Sequence, residues 1–231
     1  MEFEIVVALI VIIVIPLALL IIGIMGKKRR EAFVLLAEEL ALSHHEQDPG
    51  NIVEEYQQHD FLHWGHDPST GNILKGSYRG QDILFFDLFF TLRTRGSSGS
   101  TSSTEFRSAI LVKLPEDYPE LLITPARLAE WTERWVQRSP EVQDFDPGDP
   151  EFTKGFAVKT KSESVAREFL QPGMKSLLLG QKFLAVEIKK DSLALVFHRM
   201  VKPGDLRERL DLALAIQNFL PRNLPEDQES P

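Results

Sequence analysis

His59, His63 and His66, with Asp60 and Asp67 beside them, form an H-x-x-x-H-x-x-H string. On one continuous helix such spacing would bring two imidazoles to the same side, the start of a transition-metal site. Gly65 and Asp67-Pro68 interrupt a helix there, so the expectation is exposed loop histidines and no metal. A second candidate is the acidic run Asp144-x-Asp146-x-Gly148-Asp149-x-Glu151, whose alternating carboxylates suggest calcium. Pro147 and Pro150 displace the spacing, and the long ligand loop ending in a bidentate Glu is missing, so a solvated turn is expected. Gly96-Ser97-Ser98-Gly99-Ser100 has the ingredients of a serine nucleophile but not the G-x-S-x-G order or its strand-turn-helix setting. Neither a phosphate-binding G-x-x-x-x-G-K-[ST] nor a G-x-G-x-x-G nucleotide fingerprint occurs in the chain. No catalytic residue, cofactor or metal ligand is assigned on these grounds, and the chain reads as a non-enzyme.

The elements that would have to position any such groups begin with a membrane anchor. From Ile5 to Met25 every residue is apolar, Gly or Pro, and Lys27-Lys28-Arg29-Arg30 follow at once. At about 1.5 Å rise per residue that run matches the ~30 Å hydrocarbon core of a bilayer. A cleaved signal peptide would need a basic start, a shorter apolar core and a small-x-small site, whereas Glu2 and Glu4 precede this run and four cations end it. Lys27, Lys28, Arg29 and Arg30 set the topology: positive charge favours the cytoplasmic side, which puts the N-terminus outside and the remainder inside. The expected location is the cell membrane, single-pass, with the bilayer as one partner. No ionisable residue lies within the run, which argues against an ion path through it.

The rest of the chain is acidic. Thirty-four Asp and Glu face 26 Lys and Arg, a formal charge of −8, and the junction holds four of the cations. Nucleic acid is therefore not an expected partner. Cysteine is absent, which excludes disulfides and thiolate metal sites.

Residues 31–42 carry Phe33, Leu36, Ala37 and Leu40 at helical spacing and are expected to continue the membrane helix. A polar stretch from Ser43 to Asp60 reads as a turn or loop and a short helix. Asn72 to Tyr78 and Asp82 to Arg93 read as a hairpin about Arg79-Gly80-Gln81, with Gly96 to Thr104 as a long loop and Glu105 to Leu114 as a returning strand. Leu121 to Thr124, between Pro119 and Pro125, is expected at a sheet edge. Ala126 to Arg138 reads as a helix with Leu128, Trp131 and Trp135 on one face. Phe156 to Lys161 alternates like a strand, Ser162 caps a helix over 163–170, and Pro172 restarts one toward Leu179. Lys182 to Lys189 and Ser192 to Arg199 form a hairpin pattern around Lys190-Asp191, and Asp205 to Leu220 is an amphipathic closing helix.

These elements make an α+β fold: one N-terminal transmembrane helix, then antiparallel sheet with packed helices and a closing C-terminal helix. The divisions are a transmembrane anchor at 1–26, a basic junction and juxtamembrane helix at 27–43, an α+β domain at 44–220 and a disordered tail at 221–231. Phe61-Leu-His-Trp-Gly-His66, Asn72-Ile-Leu-Lys-Gly76, Gly80 and Phe86-Asp87 carry a resemblance, as do Asp149-Pro-x-Phe152-x-x-x-Phe156-x-Val158 and Ala166-Arg167-x-x-Leu170-x-Pro172. They resemble a family of uncharacterised bacterial membrane-anchored proteins with an N-terminal span and a soluble α+β domain. The resemblance covers about two-thirds of the chain and implies no catalytic residues, since its motifs describe turns and packing. The expected function is a membrane-tethered cytoplasmic module that binds a protein partner at the inner face. The alternatives are a hydrolase whose groups assemble from distant positions, or a pleckstrin-homology-like lipid module using Lys189, Lys190 and Lys202.

Overall fold

The computed structural model describes residues 14–96, 99–128, 141–181, 184–221 and 224. Helix α1 (Ile15–Leu40) runs unbroken from the second half of the apolar run through the basic tetrad into the soluble part. Residues 5–13 of the expected span lie outside the described residues, and among those described no helix is long and apolar enough to cross a membrane. Ala41, in the left-handed conformation (φ 55°), ends α1 and turns the chain back into β1 (Ser43–Gln47). The polar stretch expected as loop and helix thus opens with a strand, because pairing with β2 (His66–Tyr78) satisfies its backbone. The short helix α2 (Ile52–Glu55) and a 3₁₀ turn (Asp60–His63) follow.

Strand β3 (Gln81–Gly96) joins β2 by a tight turn whose central residues, Arg79 (φ 50°) and Gly80 (φ 82°), both take the positive φ that a two-residue hairpin of this twist demands. Strand β4 (Gly99–Pro125) pairs with β3 from Ile83↔Val112 to Gly96↔Gly99, so the segment expected as a long loop is ladder nearly to its tip. Strands β5 (Gln143–Asp144) and β6 (Phe156–Thr160), helices α3 (Pro150–Gly155), α4 (Glu163–Phe169) and α5 (Pro172–Leu179), strand β7 (Leu184–Phe197) and helix α6 (Leu206–Gln217) complete the fold. Ser162 caps α4 by accepting from the Val165 N–H.

The seven strands form one antiparallel sheet in the order β1-β2-β3-β4-β6-β5, with β7 also paired to β4. Two expectations are corrected here. Residues 184–197 are one strand and not a hairpin: Lys190 takes positive φ within an irregularity opposite Tyr118, and the chain continues straight along β4. Leu121 to Thr124 is no edge strand, since Leu121 to Ile123 pair with β6 and β7 both. Pro119 falls in the register break between Tyr118 and Leu121, where no ladder N–H is needed, and Pro125 is the last residue of the strand. The Ala126 to Arg138 helix begins as a 3₁₀ turn, Ala126–Leu128, and its remainder, with Trp131 and Trp135, lies outside the described residues.

The sheet is apolar on both faces. One face, with Phe85, Ile110, Leu121, Val186 and Leu195, packs against Phe33, Ala37 and Leu40 of α1 and the buried residues of α3 to α6. The other, with Leu84, Phe86, Leu88, Leu111 and Val196, is covered by Ile52, Phe61, Leu62 and Trp64. Leu206, Leu210, Ala213 and Ile216 of the closing helix are buried as the periodicity predicts.

Candidate functional site

Charge enters both of these apolar faces. On the α1 face Asp87 interrupts the run ILFFDLFF and is fully buried. Arg29 grips it through Nη2 to Oδ1 and Oδ2 (2.9 and 2.8 Å) and Nε to Oδ2 (3.2 Å). Asn72 Nδ2 (2.8 Å) and Ser108 Oγ (2.5 Å) also donate to the carboxylate, and Ser108 Oγ in turn accepts from the Val201 N–H at 2.9 Å. The Arg29 guanidinium lies 4.7 Å from the centre of the Phe33 ring, which packs on Phe85 at 5.2 Å. The topology tetrad therefore divides. Lys27 and Lys28 are exposed, Lys27 within 3.8 Å of Glu31; Arg30 pairs with Glu46 of β1; Arg29 is built into the sheet.

The opposite face holds a larger network around the middle of β7. His59, expected in an exposed loop, is fully buried, because the segment after α2 is drawn over the sheet by Ile52, Phe61 and Leu62. Its Nε2 lies 2.6 Å from Ser192 Oγ and its Nδ1 3.1 Å from Glu187 Oε2. The Asp60 N–H donates to Glu187 Oε1 at 3.1 Å. Lys189 Nζ joins Asp60 Oδ2 (3.2 Å) to Glu120 Oε1 (2.8 Å), and Lys161 Nζ reaches Glu120 Oε2 (3.3 Å) and Glu141 (2.8 Å). Burial alone would lower the Lys189 pKa, but its hydrogen bond to Glu120 and the charges of Asp60, Glu120 and Glu187 outweigh burial and hold it above the ordinary value.

Two chemistries can be asked of this network. Carboxylate oxygens of Asp60, Glu120 and Glu187 lie within 4.8 Å of one another, the donor set of a hard cation. The ammonium of Lys189 already bonds two of the three, so the cluster carries its own cation. Ser192, His59 and Glu187 follow one another as in a hydrolase triad, with a hydrogen bond between Ser192 and His59 and an ion-pair distance of 3.1 Å, without hydrogen-bond geometry, between His59 and Glu187. A groove of about 560 Å³, lined by Tyr56, Gln58, Leu84, Leu111, Lys113 and Ser192 among others, runs beside them. Against nucleophilic use, Ser192 sits within the ladder opposite Lys113, is 2% exposed, and its hydroxyl also donates to the Lys189 carbonyl at 3.1 Å.

The other residues singled out from the sequence do not converge. His63 Nε2 lies 3.0 Å from the Gln57 carbonyl, and His66 is exposed where β2 begins. Asp149 caps α3, accepting the Glu151 and Phe152 N–H groups at 3.1 Å, which with Lys175 nearby holds its pKa below the ordinary value. Asp146 closes a turn on the Gly148 N–H. Lys189 is consumed by the network, and straightening the expected hairpin places exposed Lys190 in the middle of β7 and Lys202 beyond its C-terminal end. Sequence reasoning missed Asp87, Glu120, Glu187 and Ser192. The available signal was a lone charge inside an apolar strand, as in Phe86-Asp87-Leu88 and Val186-Glu187-Ile188.

No protein-family model matches the chain, and no curated protein matches it. Among solved structures the chain is similar to the mycobacterial trehalose monomycolate transport factor A, TtfA. The TM-score is 0.62 at 12% identity, covering 87% of this chain and 98% of that one. What the two share is the fold.

Proposed function

We propose that this protein is a non-enzymatic module tethered to the inner face of the cell membrane, where the sheet domain engages a protein partner. One observation carries the reading: the helix that contains the second half of the apolar run is the same helix whose Arg29 clamps buried Asp87 and whose Phe33, Ala37 and Leu40 enter the core. Such a helix transmits the position of a span rigidly to the domain. The fold is shared with a protein titled a transport factor. Cross-linking in intact membranes, followed by solubilisation and mass spectrometry, is expected to recover the same partner repeatedly and to lose it when the apolar run is removed. Repeated recovery of no partner would count against the module.

A second reading, a hydrolase, is favoured by the Ser192–His59–Glu187 geometry beside its groove. A fluorophosphonate probe that labelled the protein and failed to label Ser192→Ala would establish it, while no labelling supports the non-enzymatic module.

A further inference from the structure

The segment that leaves β7 for the closing helix, His198 to Lys202, walls a cavity of about 380 Å³ against the end of α5 and the first turn of α6. That volume lies within the usual range of small-molecule sites. The charge of its lining is opposite to that of the chain. Arg199, Lys202 and Arg209 contribute three cations and Asp205 the one carboxylate, in a chain whose formal charge is −8.

Arg199 and Lys202 are exposed, and their side chains make no ion pair among the described residues. Arg209 is fixed from two sides. Its Nη1 donates to Gln181 Oε1 at 2.9 Å, and its guanidinium lies 5.8 Å from the centre of the Phe197 ring. Glu208 stands 3.6 Å from the same Nη1, so Nε and Nη2 carry no bond among the described residues. His198 registers the local potential: burial first, then the charges of Arg107 and Arg199, lower its pKa against the opposing charge of Glu105.

The apolar part of the wall comes from Phe197 and Val201, both buried, and from Met200, 37% exposed. Val201 is held in advance, because its N–H donates to Ser108 Oγ, which donates to the Asp87 carboxylate clamped by Arg29. A wall already in place costs little ordering when a ligand arrives.

The charge balance selects the ligand. The lining carries two net positive charges, and a phosphate monoester carries about −1.5 to −2 at neutral pH. A carboxylate would neutralise only half of the lining charge. The planar fork of arginine matches phosphate oxygens in pairs, and Phe197 and Met200 beside it suit an apolar or aromatic body. We propose that this cavity binds a phosphate monoester with an apolar body, its phosphate on Arg199, Lys202 and Arg209 and its body against Phe197 and Met200.

Phenyl phosphate is a probe of that class. With the full chain in micelles of dodecyl maltoside, whose headgroups are uncharged, saturation-transfer NMR should detect its binding at millimolar concentration, and inorganic phosphate should compete. Arg199→Gln/Lys202→Gln removes two exposed cations and should weaken binding about tenfold or more at an unchanged melting temperature. Lys27→Gln/Lys28→Gln, an equal change of charge outside the cavity, should bind as the wild type does. No transfer to phenyl phosphate from the wild type would overturn the proposal, as would equal affinities in the wild type and the Arg199→Gln/Lys202→Gln variant. An equal loss in the Lys27→Gln/Lys28→Gln variant would overturn it too. Nanodiscs separate two sources of the phosphate. Competition by phosphatidic acid in the disc, absent with phosphatidylcholine, assigns the phosphate to a lipid headgroup, and no competition assigns it to a soluble ester.

Discussion

On the face covered by α1, buried Asp87 answers to one cation, Arg29, whose side chain is 17% exposed and can swing to solvent. On the opposite face Lys189 serves two carboxylates at once, Asp60 and Glu120, which are 5% and 8% exposed, with Glu187 alongside. The first arrangement joins an external helix to the sheet through a clamp that has an exit. The second joins the segment carrying His59 and Asp60 to β4 and β7 through a cation no less exposed, Lys189 at 18%, whose removal leaves carboxylates that are nearly buried. A buried pair is costly to break because the surviving charge stays buried, so the two faces should respond differently to loss of one partner.

The largest effect is expected from Lys189→Met, which removes the ammonium shared by Asp60 and Glu120 and leaves Asp60 without it and Glu120 with Lys161. Chemical denaturation should show a loss of about 3–5 kcal/mol. Because the folded pKa of Lys189 lies above its ordinary 10.5, its stabilisation is complete below that value and is lost as pH rises through the folded pKa. The wild type should therefore lose stability in strong alkali, and the Lys189→Met variant should lack that component. Asp87→Ala comes next, at about 2–3 kcal/mol, because Arg29 can relax toward water. Combined with Arg29→Met in a double-mutant cycle, a coupling of about 1–3 kcal/mol should appear; a coupling near zero would mean the clamp contributes nothing.

Gly65→Ala probes how closely the segment over the second face is packed. A methyl there would meet Phe90 Cδ2 at 2.5 Å and the Thr91 carbonyl at 2.7 Å, so a cost of about 1–3 kcal/mol is expected in a thermal melt. The smallest effect is that of acid. His44 and His198 have lowered pKa values, chiefly through burial, so the unfolded chain binds more protons below pH 6.5. Stability should decline as pH falls below that value, and His198→Gln should flatten part of the slope.

Much of the architecture was legible because it rests on local signals. Phe33, Ala37 and Leu40 mark a helix face, Ser162 a cap, and Leu206, Leu210 and Ala213 the closing helix. The errors concern partners distant in sequence. Lys190-Asp191 looks like a turn, and only the irregular pairing with β4 lets the chain run straight through it. Pro119 and Pro125 look like edge markers, yet Pro119 falls in a register break and Pro125 is the last residue of its strand. The network of His59, Glu187 and Ser192 spans 133 residues between its hydrogen-bonded members, a separation that no spacing rule addresses. Arg29 read as one of four equivalent junction cations, and its distinct role depends on Asp87, 58 residues away.

In the proposed arrangement α1 leads from a membrane span into a domain on the cytoplasmic side. Single cysteines at Glu4 and at exposed Lys190, introduced into the cysteine-free chain and probed in intact cells with a membrane-impermeant maleimide, test it directly. Labelling at position 4 and none at 190 until the cells are permeabilised is the predicted result. Labelling at 190 in intact cells would place the domain outside.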